Sequence, residues 1–128
     1  MEKKDIKLND IQLKDKVVLH EVPEAMIEAI KAKYPEKIAK NELRRLEIPT
    51  NDLGTEKLEV IACVPDRNTV TQFMRFVESQ PKKAQEMLVN QCLLTNLEEV
   101  MADDYLFFTC AGLIAELFPI RQGRVKNF

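Results

Sequence analysis

One histidine, three cysteines and a few adjacent carboxylates are the residues with which this sequence could do chemistry. A serine or cysteine nucleophile needs a base beside it, most often an imidazole, and a third group to orient that base. His20 is the sole imidazole, and no Gly-x-Ser-x-Gly turn accompanies it. Cys63, Cys92 and Cys110 are odd in number, widely spaced and set among apolar neighbours. That is the setting of free buried thiols rather than of disulfides or a reactive site. Zinc ligation favours close cysteine or histidine pairs, and neither C-x-x-C nor H-x-x-x-H occurs. With three glycines in the chain, a glycine-rich phosphate loop is also missing.

Paired carboxylates do occur at Glu98-Glu99 and Asp103-Asp104, with Asp52 near a turn. They could bind a divalent cation or share a proton. The plainer reading is that Asp103 and Asp104 begin a helix at its positive dipole end, and that Glu98 and Glu99 are solvated. The densest basic stretch, Lys31, Lys33, Lys37, Lys40 and Arg44-Arg45, is diluted by Glu36, Glu42 and Glu47 and reads as a solvated face. The expectation is a binding protein without catalytic, metal or cofactor residues, hence not an enzyme.

The whole chain limits the alternatives further. Its 128 residues, 45% hydrophobic and 31% charged, fit one globular domain with one modest core. A net charge of −2 gives no global field for nucleic acid or anionic membrane. Met1-Glu2-Lys3-Lys4-Asp5 leads into polar sequence without the apolar segment of a signal peptide. The most apolar run, Tyr105 to Leu117, is shorter than the roughly 18–20 residues a bilayer span requires. The expected location is therefore the cytoplasm, without secretion or membrane insertion.

The elements expected to position these residues form an α+β domain: an N-terminal helix, a β-hairpin, then a C-terminal three-helix segment. Residues 1–20 read as an N-terminal arm, in which Ile6, Leu8, Ile11 and Leu13 could form an edge strand or a docked tail; 21–128 form the domain. A helix starts at Pro23, carries Ile27, Ile30 and Tyr34 on one face, and is ended or kinked by Pro35. Strands at Glu42–Ile48 and Leu58–Val64 flank a turn-rich Pro49–Gly54 connection. The second strand is almost continuously apolar, as for a strand covered on both faces.

Asp66 is a good N-cap, and Val70, Phe73, Met74 and Val77 then form an amphipathic stripe at i, i+3, i+4 and i+7. Pro81 restarts the chain into a helix reaching about Leu94, with Ala84, Met87, Leu88 and Cys92 on its apolar face. After the break at Thr95-Asn96 come Leu97–Met101 and then the apolar helix Tyr105–Phe118, stopped by Pro119. Apolar on nearly every side, that last helix is either central to the core or shared with a partner.

From residue 22 onward this order resembles small assembly chaperones encoded in tail gene clusters of phages and prophages. The resemblance rests on Val22-Pro-Glu and Lys31-Ala-Lys-Tyr34, then Val64-Pro-Asp-Arg-Asn-Thr69, then Leu88-Val-Asn-Gln-Cys-Leu-Leu94. Ala102-Asp-Asp-Tyr-Leu-Phe107 and the charged end Arg121–Lys126 complete it. It implies a non-enzymatic protein that shields the long tape-measure protein, helps recruit tail-tube subunits and is absent from the finished particle. A longer frameshifted product often accompanies the short one in such systems.

A holder of a long helical partner needs an apolar, helix-receiving surface and self-association to coat the length. Phe107, Phe108, Leu113, Ile114, Leu117 and Phe118 could supply part of it, with Phe73, Met74, Met87 and Met101 as adaptable neighbours. The competing reading places the same residues in the core. Two other functions compete with the chaperone. One is a nucleic-acid-associated regulator using Lys31–Arg45; the other is a structural virion component such as a connector.

Overall fold

The computed structural model describes residues 17–128. Its elements are β1 (Val18–His20), α1 (Glu24–Lys33), α2 (Pro35–Ala39), β2 (Leu43–Pro49), β3 (Glu56–Cys63), α3 (Arg67–Phe76), α4 (Pro81–Cys92), α5 (Leu97–Ala102) and α6 (Asp104–Glu116). The chain is α+β, with its helices concentrated at the C-terminal end.

Local signals set most helix ends. Pro23 sits at the N-cap of α1 and Glu24 in its first turn, where a carboxylate favours the dipole. Pro35 does more than stop α1: it occupies the first turn of the separate α2. Asp66 caps α3 by accepting from the Thr69 amide at 2.8 Å, and Asp103 caps α6 by accepting from the Leu106 amide at 3.1 Å. The expected three-helix C-terminal segment holds a fourth, six-residue helix, α5. Asn96, at its N-cap, adopts a left-handed conformation with φ of 58°, which asparagine tolerates better than most residues.

The expected hairpin is present as β2 and β3, antiparallel, with Leu46 opposite Val60 and Leu43 opposite Cys63. In its connection the Asn51 carboxamide oxygen accepts from the Thr55 amide at 3.1 Å, and Gly54 takes a φ of 70° that suits glycine. The sheet has a third strand, however, in the order β1-β3-β2. Val18–His20 pairs parallel with Glu56–Leu58. The last residues of the expected N-terminal arm thus belong to the sheet, whereas Ile6, Leu8, Ile11 and Leu13 lie outside the described residues.

β3 is central, yet β1 covers only its first half. The rest of that edge is occupied by a segment expected to be helical. Helix α4 ends at Cys92 rather than Leu94 because Leu93 turns extended and bridges Ala62. The Leu94 amide then donates to the Ile61 carbonyl at 2.8 Å, and the Ile61 amide donates to the Thr95 hydroxyl at 3.0 Å. Buried backbone groups must find partners; the chain supplies them by leaving the helix.

Alternation along β3 divides the core between two faces. Leu58, Val60 and Ala62 join Leu46 and Ile48 against Leu88, Val89 and Cys92 of α4, Val100 of α5, and Leu106, Cys110 and Ile114 of α6. Ile61 instead packs with Val22, Ile27 and Ile30 beside α1. Among the described residues, Glu59 is the one charged residue of the buried polar ones. Its carboxylate accepts from the Val22 amide at 3.0 Å and lies 3.7 Å from Arg45, which ties the β1–α1 link to β3.

Candidate functional site

The residues with chemical capability are dispersed. His20 Nε2 lies 2.8 Å from a Glu56 carboxylate oxygen, with both side chains about half exposed on neighbouring strands. His20 is in register with Leu58, five residues before Cys63, a separation of about 17 Å along a strand. That imidazole is therefore in no position to deprotonate Cys63. Asp103 is engaged as a cap, and Glu99 accepts from the Asn96 side-chain amide at 3.0 Å. Among the described residues, no group of three histidine, cysteine or carboxylate side chains could hold a metal ion.

All three cysteines are buried and free. The Ala62–Leu93 bridge sets Cys63 opposite Cys92 in the antiparallel register. The facing Cys92 thiol lowers the Cys63 pKa from its ordinary value, while the neighbouring Cys63 and burial raise that of Cys92. Cys63 in turn reaches the Gln91 carbonyl at 4.0 Å. Burial alone pushes Cys110 up to about 11. None of these thiols meets solvent as a nucleophile would.

The apolar residues expected to meet a partner separate into three groups. Phe107 and Ile114 are buried in the core at 8% and 0% exposure, which corrects their assignment to an open surface. Leu113, Leu117, Phe73, Phe118 and Met101 are partly buried against that core, and Met87 is partly buried on α4. Met74 and Phe108 are exposed, at 64% and 58%. Period explains the division of α6: Leu106, Phe107, Cys110, Ala111 and Ile114 face inward, leaving Tyr105, Phe108 and Thr109 outside.

Among the described residues, three apolar places stand open. At the first, the α3 stripe meets the end of α6: the Phe73 and Phe118 rings pack edge to face at 5.5 Å between centroids. Beside them Arg67, Val70, Thr71, Phe118, Pro119 and Ile120 line a groove of about 450 Å3. No residue of the stripe Val70, Phe73, Met74 and Val77 is fully buried, and Ile120 is 78% exposed. At the second, Pro81, Lys82, Met101, Asp104, Phe107 and Phe108 are among the residues around a depression of similar size between α4, α5 and α6.

The third place, which the sequence reading did not single out, lies between α1, α2 and β2. Ile27, Ile30, Ile38, Leu43 and Ile61 line an apolar groove of about 180 Å3, with Lys31, Arg44 and Arg45 also at its walls. The signal for it was the coincidence of the basic stretch with the apolar face of α1. A polar cleft of about 650 Å3 between the β2–β3 connection and the start of α6 holds Asp52, Glu99, Asp103 and Tyr105.

Compared with protein-family models, curated proteins and solved structures, the chain has no match. Among the described residues, no helix is long and apolar enough to cross a membrane.

Proposed function

We propose that this chain is a non-enzymatic tail assembly chaperone of a phage or prophage, acting in the bacterial cytoplasm. It holds the tape-measure protein and engages tail-tube subunits during assembly. The observation that carries this reading is the incompletely covered stripe of α3. An amphipathic helix ordinarily buries its apolar face within its own domain. Here Val70, Phe73 and Val77 remain half-buried, Met74 is 64% exposed, and Ile120, which lines the groove with Val70, is 78% exposed.

A groove bordered by α3 and lined by Val70, Phe118, Pro119 and Ile120 suits the apolar face of a partner helix, and methionine such as the exposed Met74 nearby on α3 adapts to varied side chains. The sequence resemblance motivates the identity of that partner, and the half-buried stripe supports α3 as the place where it docks.

Co-expression with the long helical protein encoded beside this chain tests the reading. The chain is expected to keep that partner soluble and to co-purify with it. Met74→Asp and Ile120→Asp, both at exposed positions, are expected to abolish the rescue while leaving the circular dichroism and melting temperature of the chain unchanged. An insoluble partner with the wild-type chain, or full rescue by both variants, rejects the assignment.

A further inference from the structure

We infer that the groove between α3 and the end of α6 selects its partner by charge, taking an amphipathic helix whose apolar stripe is flanked by carboxylates. This rests on the docking place proposed above and adds the chemistry of what docks there.

The groove asks for a helix. Val70 and Thr71 of α3 and Phe118, Pro119 and Ile120 line it, together with Arg67. Where α6 ends, the Leu117 and Phe118 amides turn back onto the Ile114 and Ala115 carbonyls at 2.9 and 3.3 Å. At the start of α3 the Thr69 amide is taken by Asp66 at 2.8 Å. These walls offer apolar side chains rather than a strand edge, so an occupant must pair its own backbone groups, as a helix does.

Charge then chooses among helices. Arg67 is the one charged residue of the groove lining. It is exposed in the first turn of α3, and among the described residues no carboxylate lies at ion-pair distance from it. Arg121, directly after Ile120, is exposed and equally without such a partner, as are Arg124 and Lys126 beyond it. Carboxylates do occur nearby, but Asp66 is turned to its cap, and Glu78 and Glu116 pair with none of these cations. An unpaired arginine beside an apolar groove attracts a carboxylate on the partner, which its planar fork suits, and repels a cation.

The depression between α4, α5 and α6 makes no such choice, since Lys82 there stands with Glu86 and Asp104. The tail agrees with the groove. Past Pro119 it mixes exposed Ile120, Val125 and Phe128 with the three cations, the complement of the same apolar and acidic helix.

Two labelled synthetic peptides of about 18 residues, with one leucine stripe flanked either by glutamate or by lysine, test this by fluorescence anisotropy on the purified chain. The glutamate peptide is expected to bind roughly fivefold tighter or more, from a few surface charge pairs, and the difference is expected to shrink with added salt. The double variant Arg67→Glu, Arg121→Glu is expected to invert the preference at an unchanged melting temperature, because glutamate suits the first turn of α3. Lys40→Glu, remote from the groove, is expected to leave it as in the wild type. Equal binding of the two peptides, no binding of either, or inversion by Lys40→Glu as well overturns the inference. Polyuridylate bound more tightly than the glutamate peptide assigns the cations to nucleic acid and overturns it too. Failure here leaves the co-expression rescue standing on apolar contact alone, whereas a failed rescue with the glutamate preference intact rejects only the identity of the partner.

Discussion

Thr95 is expected to contribute more to stability than its place in a connecting segment suggests. It is 3% exposed, and its hydroxyl is the acceptor for the Ile61 amide at 3.0 Å, on the half of the β3 edge that β1 does not reach. Thr95→Val keeps the shape and removes the acceptor, leaving a buried N–H unpaired. Such a group costs about 1–3 kcal/mol. With an unfolding entropy of about 2.1 cal/mol/K per residue, a chain of 128 residues has roughly 0.27 kcal/mol/K, so 2 kcal/mol lowers Tm by about 7 °C. Thr95→Ser keeps the acceptor and loses one methyl group, at about 1 kcal/mol or less.

Differential scanning calorimetry gives both shifts, and amide exchange at Ile61 reports whether the bond itself is lost. The expected order is wild type, then Thr95→Ser, then Thr95→Val, with faster Ile61 exchange in the valine variant alone. Equal Tm values for the wild type and Thr95→Val would refute the idea that Leu93–Thr95 completes the edge of β3.

Two further outcomes follow from the thiols. Cys110 is fully buried and its pKa is pushed up to about 11, above the ordinary value of 9.0. The native state therefore holds its proton where the unfolded chain has lost it. Stability from this source is complete below about pH 9 and falls as pH rises through 11, by about 2–3 kcal/mol. Urea titrations at pH 8 and pH 10.5 are expected to show a smaller decline for Cys110→Ala than for the wild type; parallel declines would remove the thiol as the cause. Cys63 and Cys92 face one another but are buried, so diamide is expected to leave both thiols reduced in the native protein and to oxidise them only when denaturant is added. Intact mass that shows the loss of two hydrogens under native conditions, absent in Cys63→Ser, would show that the pair is open to the oxidant.

Reading the candidate site from the sequence succeeded where the signal was local. The period of α3 put Val70, Phe73 and Val77 on its half-buried side, because side-chain direction in a helix is fixed by position, but Met74 is exposed and Thr69, outside the stripe, is the residue α3 buries. Asp66 and Asp103 marked the starts of α3 and α6, since a cap needs only a carboxylate oxygen two or three residues before an unpaired amide. What period could not give was the fate of neighbours on a helix that is apolar all round. Phe107 and Phe108 have the same chemistry, and only the position of the sheet buries one and exposes the other.

The sequence by itself thus determined the α+β class, the hairpin and most helix ends. Tertiary structure alone decided that Val18–His20 joins the sheet in parallel, that Leu93–Thr95 leaves a helix to complete β3, and that Cys63 meets Cys92. It also closed a groove between α1, α2 and β2 from residues as far apart as Ile27 and Ile61. The physical reason is the range of the forces involved. Caps and amphipathic period are satisfied within a few residues, whereas strand edges and buried polar groups are satisfied by whatever the fold brings beside them.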